Sequence, residues 1–281
     1  MKLQSVRELS LMANDMRQDV IRMLAAAASG HTAGPLGMAD VFSVLFFHEM
    51  KYNAAQPKWE GRDRFVLSNG HICPILYAAM ARAGFFQLEE LSTLRKMGSR
   101  LQGHPSMAKL PGIENSSGPL GEGLAIACGM ALAGKMDKTE WRVYCATSDG
   151  EHQEGSTWEA VMLAAKYKLD NLVAVCDRNH IQIDGGTEDV MPLGDMAEKY
   201  RAFGWHAIEV DGHDYGAIMR ALDDARKTKG KPTMIIAKTV PGKGVKMFEN
   251  DYRWHGVAPK PEEAEKALAE LAEERKKLEA E

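Results

Sequence analysis

Residues whose types and spacing could do chemistry are concentrated in one stretch, WRVYCATSDGEHQEGSTWEAVMLAAKYKLDNLVAVCDRNHIQIDGG, from Trp141 to Gly186. An apolar run, Val143 to Ala146, breaks into Ser148, Asp149, Gly150 and Glu151. A second run, Asn171 to Cys176, closes on Asp177 and Asn179, and between the two Trp158, Val161, Met162 and Ala165 recur at helical spacing. The pattern predicts strand, helix, strand, and a right-handed crossover puts the carboxyl ends of both strands on one sheet edge. Asp149 and Asn179 then converge. Two hard oxygen ligands at one edge suit a divalent cation such as Mg2+ that also takes oxygens from a bound phosphate. Each residue alone has a plainer reading, Asp149 as a helix cap and Asn179 as a turn former.

Four histidines fall in predicted loops. His31 opens the glycine-rich turn HTAGPLG, ahead of an apolar helical run from Met38 to Phe47. His71 ends the turn SNGH after a short predicted strand, Arg64 to Ser68, and leads into a helix from Ile72 to Ala83. His104 begins a long loop, and His255 follows the loop KTVPGKG at the end of another predicted strand. Imidazoles suit proton traffic near neutral pH and can hydrogen-bond an alkoxide, although each of the four, taken singly, reads equally as a cap or turn residue. Gly118-Pro-Leu-Gly-Glu-Gly123 opens a small-residue helix, Leu124 to Gly134, and its glycines let backbone approach a ligand closely. As a dinucleotide fingerprint it fails, because no strand directly precedes it and no acidic residue is placed for a ribose.

The elements that must position these groups alternate. Val6 to Ala28 is an amphipathic helix, Leu88 to Met97 a short one, and helices at Asp195 to Phe203 and Tyr215 to Lys227 each precede a strand, Trp205 to Val210 and Pro232 to Lys238. Such alternation predicts an α/β fold, a doubly wound and mainly parallel sheet with helices on both faces, over residues 1–260. Residues 261–281 read as a charged, solvated helix with a thin stripe of Leu268, Leu271 and Leu278.

Composition excludes several classes. At 281 residues, 45% hydrophobic and 26% charged, the chain is an ordinary globular protein large enough for one sizeable core. A net charge of −4 without a basic cluster argues against nucleic acid or an anionic membrane as partner. No apolar run reaches the length of a membrane helix and no signal-peptide core is evident, so the cytoplasm is the expected location. The four cysteines show no CxxC pairing and are expected to be buried thiols.

The central block is similar to the thiamine diphosphate motif, GDG followed one strand-helix-strand unit later by N. Its interior, EG…EA…A…L.NL…D.N…DG, resembles transketolases in particular. The settings SGHxxGPLGMA, LSNGH, GHP and HG occur around it in the same order as in that family, and the resemblance runs from about Val6 to Pro259. It departs at Ser148, where the family usually has glycine. The resemblance implies that Asp149, Asn179 and the backbone carbonyl of Ile181 ligate Mg2+, with Ca2+ or Mn2+ as substitutes. Thiamine diphosphate would then meet His71, Gly150 and His255 on its diphosphate side, Gly118 and Leu120 at the aminopyrimidine and Ile183 at the thiazolium, with Glu151 a further cofactor-binding residue. His31, His104 and His255 are the implied catalytic residues, and Glu154 resembles a family glutamate in the acidic network between paired active sites.

The implied activity is transfer of a two-carbon ketol unit from a ketose or ketose phosphate to an aldose. The family's pyrimidine-binding domain has no counterpart in this sequence. The resemblance therefore implies the N-terminal subunit of a split enzyme, completed by a C-terminal subunit on a second chain in a heterotetramer with two of each. Two rival readings are an E1 α subunit of a 2-oxo acid dehydrogenase, which is not expected to carry the histidine series, and a non-catalytic thiamine diphosphate-binding module. The motif leaves the sugar open: pentose phosphates, branched sugars and sulfonated sugars would all keep it.

Overall fold

The computed structural model describes residues 2–280. In chain order its strands are β1 (Arg64–Leu67), β2 (Val143–Ser148), β3 (Leu172–Arg178), β4 (Ile181–Gln182), β5 (Gly185–Gly186), β6 (His206–Asp211) and β7 (Thr233–Lys238). Five of them form one wholly parallel sheet in the order β1-β2-β3-β7-β6, while β4 and β5 pair as a small antiparallel hairpin. Parallel strands buried on both faces should read as continuous apolar runs, and β2 and β3 are buried throughout.

Alternate strand residues feed two cores. Tyr144, Ala146, Val173, Val175, Ile235 and Ala237 face α1 (Val6–Ala27), α2 (Ala33–Gly37), α3 (Ala39–Val44) and α4 (Cys73–Arg82), with two later helices of the same side. Cys145, Ala174, Cys176 and Ile236 face α5 (Gly123–Met136), α6 (Gly155–Lys166) and the short helix that follows α7 (Thr187–Val190), namely α8 (Met196–Ala202). The two further helices of the first face are α9 (Tyr215–Lys227) and α10 (Pro261–Ala280). This is the doubly wound α/β sheet that the alternation predicts. Each large apolar side chain taken fully into these cores contributes about 1.5–3 kcal/mol.

Local chemistry sets the boundaries. Helix α1 starts at a capping box: the Glu8 amide donates to Ser5 Oγ at 3.1 Å and the Ser5 amide donates back to Glu8 Oε2 at 3.0 Å. The helix expected at Leu88 to Met97 is instead a 3-10 segment, Leu88–Thr93, after which the chain turns through Arg95 at φ +60°. The HTAGPLG segment, expected as a turn, contains the single helical turn α2. Helix α10 lies along α1 with Ala264, Ala267 and Leu271 buried, and Asn14 Nδ2 donates to Leu271 O at 3.0 Å. Glu281, the last residue of the expected terminal helix, lies outside the described residues. All four cysteines are buried and unbridged. Among the described residues no helix is long and apolar enough to cross a membrane.

Candidate functional site

The site is built at the carboxyl ends of β1, β2 and β3. Strands β2 and β3 are neighbours, Ser148 pairs with Asp177, and the Asp149 amide donates to Asp177 O at 3.1 Å. Ser148 is thus an ordinary strand residue outside the left-handed region, so serine at this position costs nothing conformationally. Asp149 is fully buried beneath the surface of the cleft. Its Oδ2 accepts from the His180 amide at 2.7 Å, Arg178 Nη1 at 3.1 Å and Thr187 Oγ1 at 3.3 Å, whereas Oδ1 accepts only from the Gly150 amide at 2.7 Å. Asn179 Oδ1 accepts from the Ile181 amide at 3.0 Å and its Nδ2 donates to Asp177 Oδ2 at 2.8 Å. Since His180 and Ile181 donate to Asp149 and Asn179 respectively, the two side chains meet on one loop. His180 holds φ +62° to make this possible, a conformation unusual for a side chain with a Cβ.

Burial pushes the Asp149 carboxyl upward, and Arg178 and the amides of His180 and Gly150 oppose that. Asp177, wholly buried with Thr239 and Asn179 as donors, is pushed up to about 7 by its burial.

Above these tips lies a cleft of about 330 Å3. His31, His71, His104 and His255 all line it, as do Gly118, Leu120, Gly150, Glu151, Asn179, Ile181 and Ile183. Every candidate site residue except the buried Asp149 therefore borders one space. Three imidazoles form a cluster, with ring centroids 5.0 Å apart for His31 and His71, 5.1 Å for His71 and His255, and 5.6 Å for His31 and His255. Burial, followed by the repulsion of His255, Arg95 and His104, pulls His31 down to about 4, and burial lowers His71 and His255 as well. Burial thus favours the uncharged form of all three rings. Ile183 projects an apolar side chain that is 65% exposed, which suits a surface for a flat heterocycle.

Glu151 borders the cleft as expected, but its carboxylate is engaged inside the protein. Oε1 accepts from Ser68 Oγ and from the Gly121 amide at 2.7 Å, and Oε2 from the Ser148 amide at 3.3 Å. One buried carboxylate thus joins the β1 tip, the β2 tip and the Gly118–Gly123 loop. Gly121 sits at φ +85°, with Glu154 Cβ 2.8 Å from where a Cβ of its own would lie, so no other residue fits there. Gln153, Gln182, Asp184 and Glu154 also line the cleft. Gln182 and Asp184 are marked only by lying in the same short loop as Ile181 and Ile183, and nothing in the sequence marks Arg178 as a partner of Asp149.

The residues present fit a metal-bound diphosphate. Buried His31 Nδ1 and His255 Nδ1 have no hydrogen-bond partner, and neither do Asn69 Oδ1 and Ser117 Oγ beside His71 and Gly118. Buried polar atoms of this kind call for a ligand or water. Among the described residues there is no cluster of three His, Cys, Asp or Glu side chains that could hold a metal. A carboxylate, an amide and a carbonyl are nevertheless the hard oxygen donors that suffice for Mg2+ when phosphate and water complete its shell.

Residues 9–279 match the family described as "Transketolase, thiamine diphosphate binding domain". The chain is 41% identical over 276 residues to one of the subunits of the apulose-4-phosphate transketolase of Phocaeicola vulgatus, covering 98% of each chain. It is 40% identical to the 6-deoxy-6-sulfo-D-fructose transketolase subunit SqwG of Clostridium sp., over 95% of this chain and 97% of that one. Its fold superposes on transketolase from Campylobacter jejuni with a TM-score of 0.90 at 35% identity, covering 96% of this chain but 43% of the larger one.

Proposed function

The chain belongs to the transketolase family and carries its thiamine diphosphate-binding domain, and from that premise we propose that it is the diphosphate-side subunit of a two-chain transketolase. Thiamine diphosphate, when bound, supplies a nucleophilic carbon for the ketose carbonyl and a conjugated ring that stores the electron pair released when the neighbouring C–C bond breaks. The tasks left to this chain are binding, orientation and proton transfer. Asp149, Asn179 and the Ile181 carbonyl hold Mg2+, which neutralises the diphosphate. His71 and His255 donate to its oxygens, and Gly150, with no side chain, leaves them room. Ile183 supports the thiazolium, and Gly118 and Leu120 leave room for the aminopyrimidine. His31 and His104 hold and move protons at the ketose hydroxyls. Neutral rings are what such a role needs, since an imidazole that is already charged cannot accept a proton.

The observation that carries this is the gathering of the histidine cluster, Ile183 and the oxygen donors of Asn179 and Ile181 around one cleft, directly over Asp149. The family match and the identity to two transketolase subunits favour it over an E1 α subunit. Those relatives, both named as subunits and similar in length to this chain, support a second chain that brings the pyrimidine side, and the assembly proposed has two of each. They differ in the ketose of their names at nearly equal identity, so the donor proposed here is a class, a phosphorylated or sulfonated ketose.

The test is reconstitution. Mixed with a pyrimidine-side subunit, thiamine diphosphate and Mg2+, the chain is expected to transfer ketol units from at least one of apulose 4-phosphate, 6-deoxy-6-sulfofructose or a pentulose phosphate. Turnover by this chain alone would contradict the two-chain proposal. Absence of transfer from every donor, with cofactor bound to the pair, would contradict the activity.

A further inference from the structure

His31 and His104 come to the cleft on separate loops, one after α1 and one after the 3-10 segment Leu88–Thr93, and among the described residues neither loop is tied to the other by main-chain hydrogen bonds. Arg95 spans the gap. Its Nη1 donates to Ser29 Oγ at 3.0 Å, two residues before His31, and its Nη2 donates to Gly103 O at a long 3.4 Å, immediately before His104. The guanidinium lies so close to Gly103 that a Cβ there would be 2.8 Å from Arg95 Cζ, and on its other side a Cβ at Gly30 would be 3.8 Å from Arg95 Nε. Glycine at 103 is what lets the side chain lie against that loop, whereas at Gly30 the approach is an ordinary van der Waals contact.

The backbone at Arg95 is in the left-handed region, φ +60°, and is held there by its amide donating to Leu101 O at 2.9 Å. Non-glycine residues accept this strain where the surroundings impose it, and such positions cluster at functional sites. No ion pair among the described residues involves Arg95, so its charge is uncompensated although the side chain is exposed. It does not line the cleft itself.

Resting on the ketol-transfer proposal above, we propose that Arg95 is a positioning residue: it pins the loop of His31 to the loop of His104 so that both imidazoles address one substrate. Its charge has a second effect. After burial, Arg95 is a cause that lowers the basicity of His104, and it acts on His31 together with burial, His255 and His104. The other groups within reach of its charge are the Cys73 thiol and the Tyr77 hydroxyl, which pack against the same His104 loop: Tyr77 donates to Gln102 O at 2.8 Å, and Cys73 Sγ lies 3.2 Å from Gly103 O. No carboxylate is among the groups acting on either histidine.

Two variants separate geometry from charge. Arg95→Gln in the reconstituted pair is expected to lower kcat about 10–100-fold, the loss that a misplacement near 1 Å can cause. Thiamine diphosphate affinity should stay at the parental value, and the acid limb of the kcat/KM profile should move to higher pH. Arg95→Lys keeps the charge without the fork, so it should restore the acid limb while leaving kcat low. Ring 15N titration of the chain alone reads the same effect without turnover, with His31 and His104 titrating at higher pH in Arg95→Gln and at parental pH in Arg95→Lys. Parental kcat in Arg95→Gln would overturn the proposal whatever the ring titrations show, as would a loss of cofactor affinity equal to the loss of kcat. Were the parental pair inactive, the ketol-transfer proposal would fail on its own account, and amide hydrogen exchange in the two loops of the chain, faster in Arg95→Gln if Arg95 pins them and parental if it does not, would decide the clamp.

Discussion

At the scale of single residues, the cleft holds groups whose basicity differs from their ordinary one. His31 is held near 4 against an ordinary value of 6.5. Above pH 6.5 both the folded and the unfolded chain carry it neutral, so it has no effect on stability there. Between 6.5 and 4 the unfolded chain takes up a proton that the folded chain refuses, and stability is lost as the pH falls. His31→Gln lacks this group. In thermal unfolding without cofactor, the stability of the variant relative to the parent should rise on acidification through that window, by up to about 1.4 kcal/mol per pH unit. Parallel curves for the two proteins would show that the ring is not held neutral. The types and loop settings of the histidines were legible in the sequence, but their mutual contact was not, because it depends on where three separate segments converge. Glu151 was legible as an acidic residue at a strand tip. That its carboxylate serves Ser68, Ser148 and Gly121 could not be read, since those donors are distant in sequence or belong to the backbone.

At the scale of elements, a buried network supports the loops from below. Asp40 of α3 accepts from Arg17 of α1 at 2.6 Å, from His213 Nδ1 at 2.7 Å and from Tyr215 at the start of α9 at 2.5 Å. His213 Nε2 accepts from the Val240 amide at 2.8 Å, and the Gly242 amide donates to Ala33 O at 2.9 Å, two residues from His31. Burial alone would raise Asp40, but Arg17 and His213 hold it well below the usual carboxylate range. Asp40→Asn leaves the Arg17 guanidinium buried without its counter-charge, and denaturant unfolding at pH 7 should show a loss of about 3 kcal/mol. A loss under about 1 kcal/mol would mean that the network is dispensable. The long elements were legible because their apolar periodicity runs over many residues. Helix α2 and the β4–β5 hairpin are too short to carry a period, and the segment after Leu88 gives way to the strained turn at Arg95.

At the scale of the whole molecule, the sheet collects ligands from several strand ends onto one edge, as open parallel sheets do. Strand alternation and the spacing of Asp149 and Asn179 were enough to expect that edge, because crossover handedness and strand adjacency leave few other arrangements. The opposite property, an unpartnered outer surface, was not legible. Helix α5 has no charged residue from Gly123 to Gly134, yet Ala125, Gly129 and Ala133 are exposed on it, and Met162 and Leu163 of the adjoining α6 are exposed as well.

The proposed function requires Asp149 and Asn179 to hold one divalent ion against a diphosphate. Mn2+ in place of Mg2+ allows this to be measured directly, by electron-nuclear double resonance on the reconstituted pair with thiamine diphosphate, with this chain as the parent or as Asp149→Asn. The expected result is strong coupling of Mn2+ to phosphorus in the parent, and in the variant an Mn2+ affinity lower by at least about 10-fold, a loss typical even for residues one step outside a metal's ligands. Equal affinity and equal phosphorus coupling in the two proteins would contradict it.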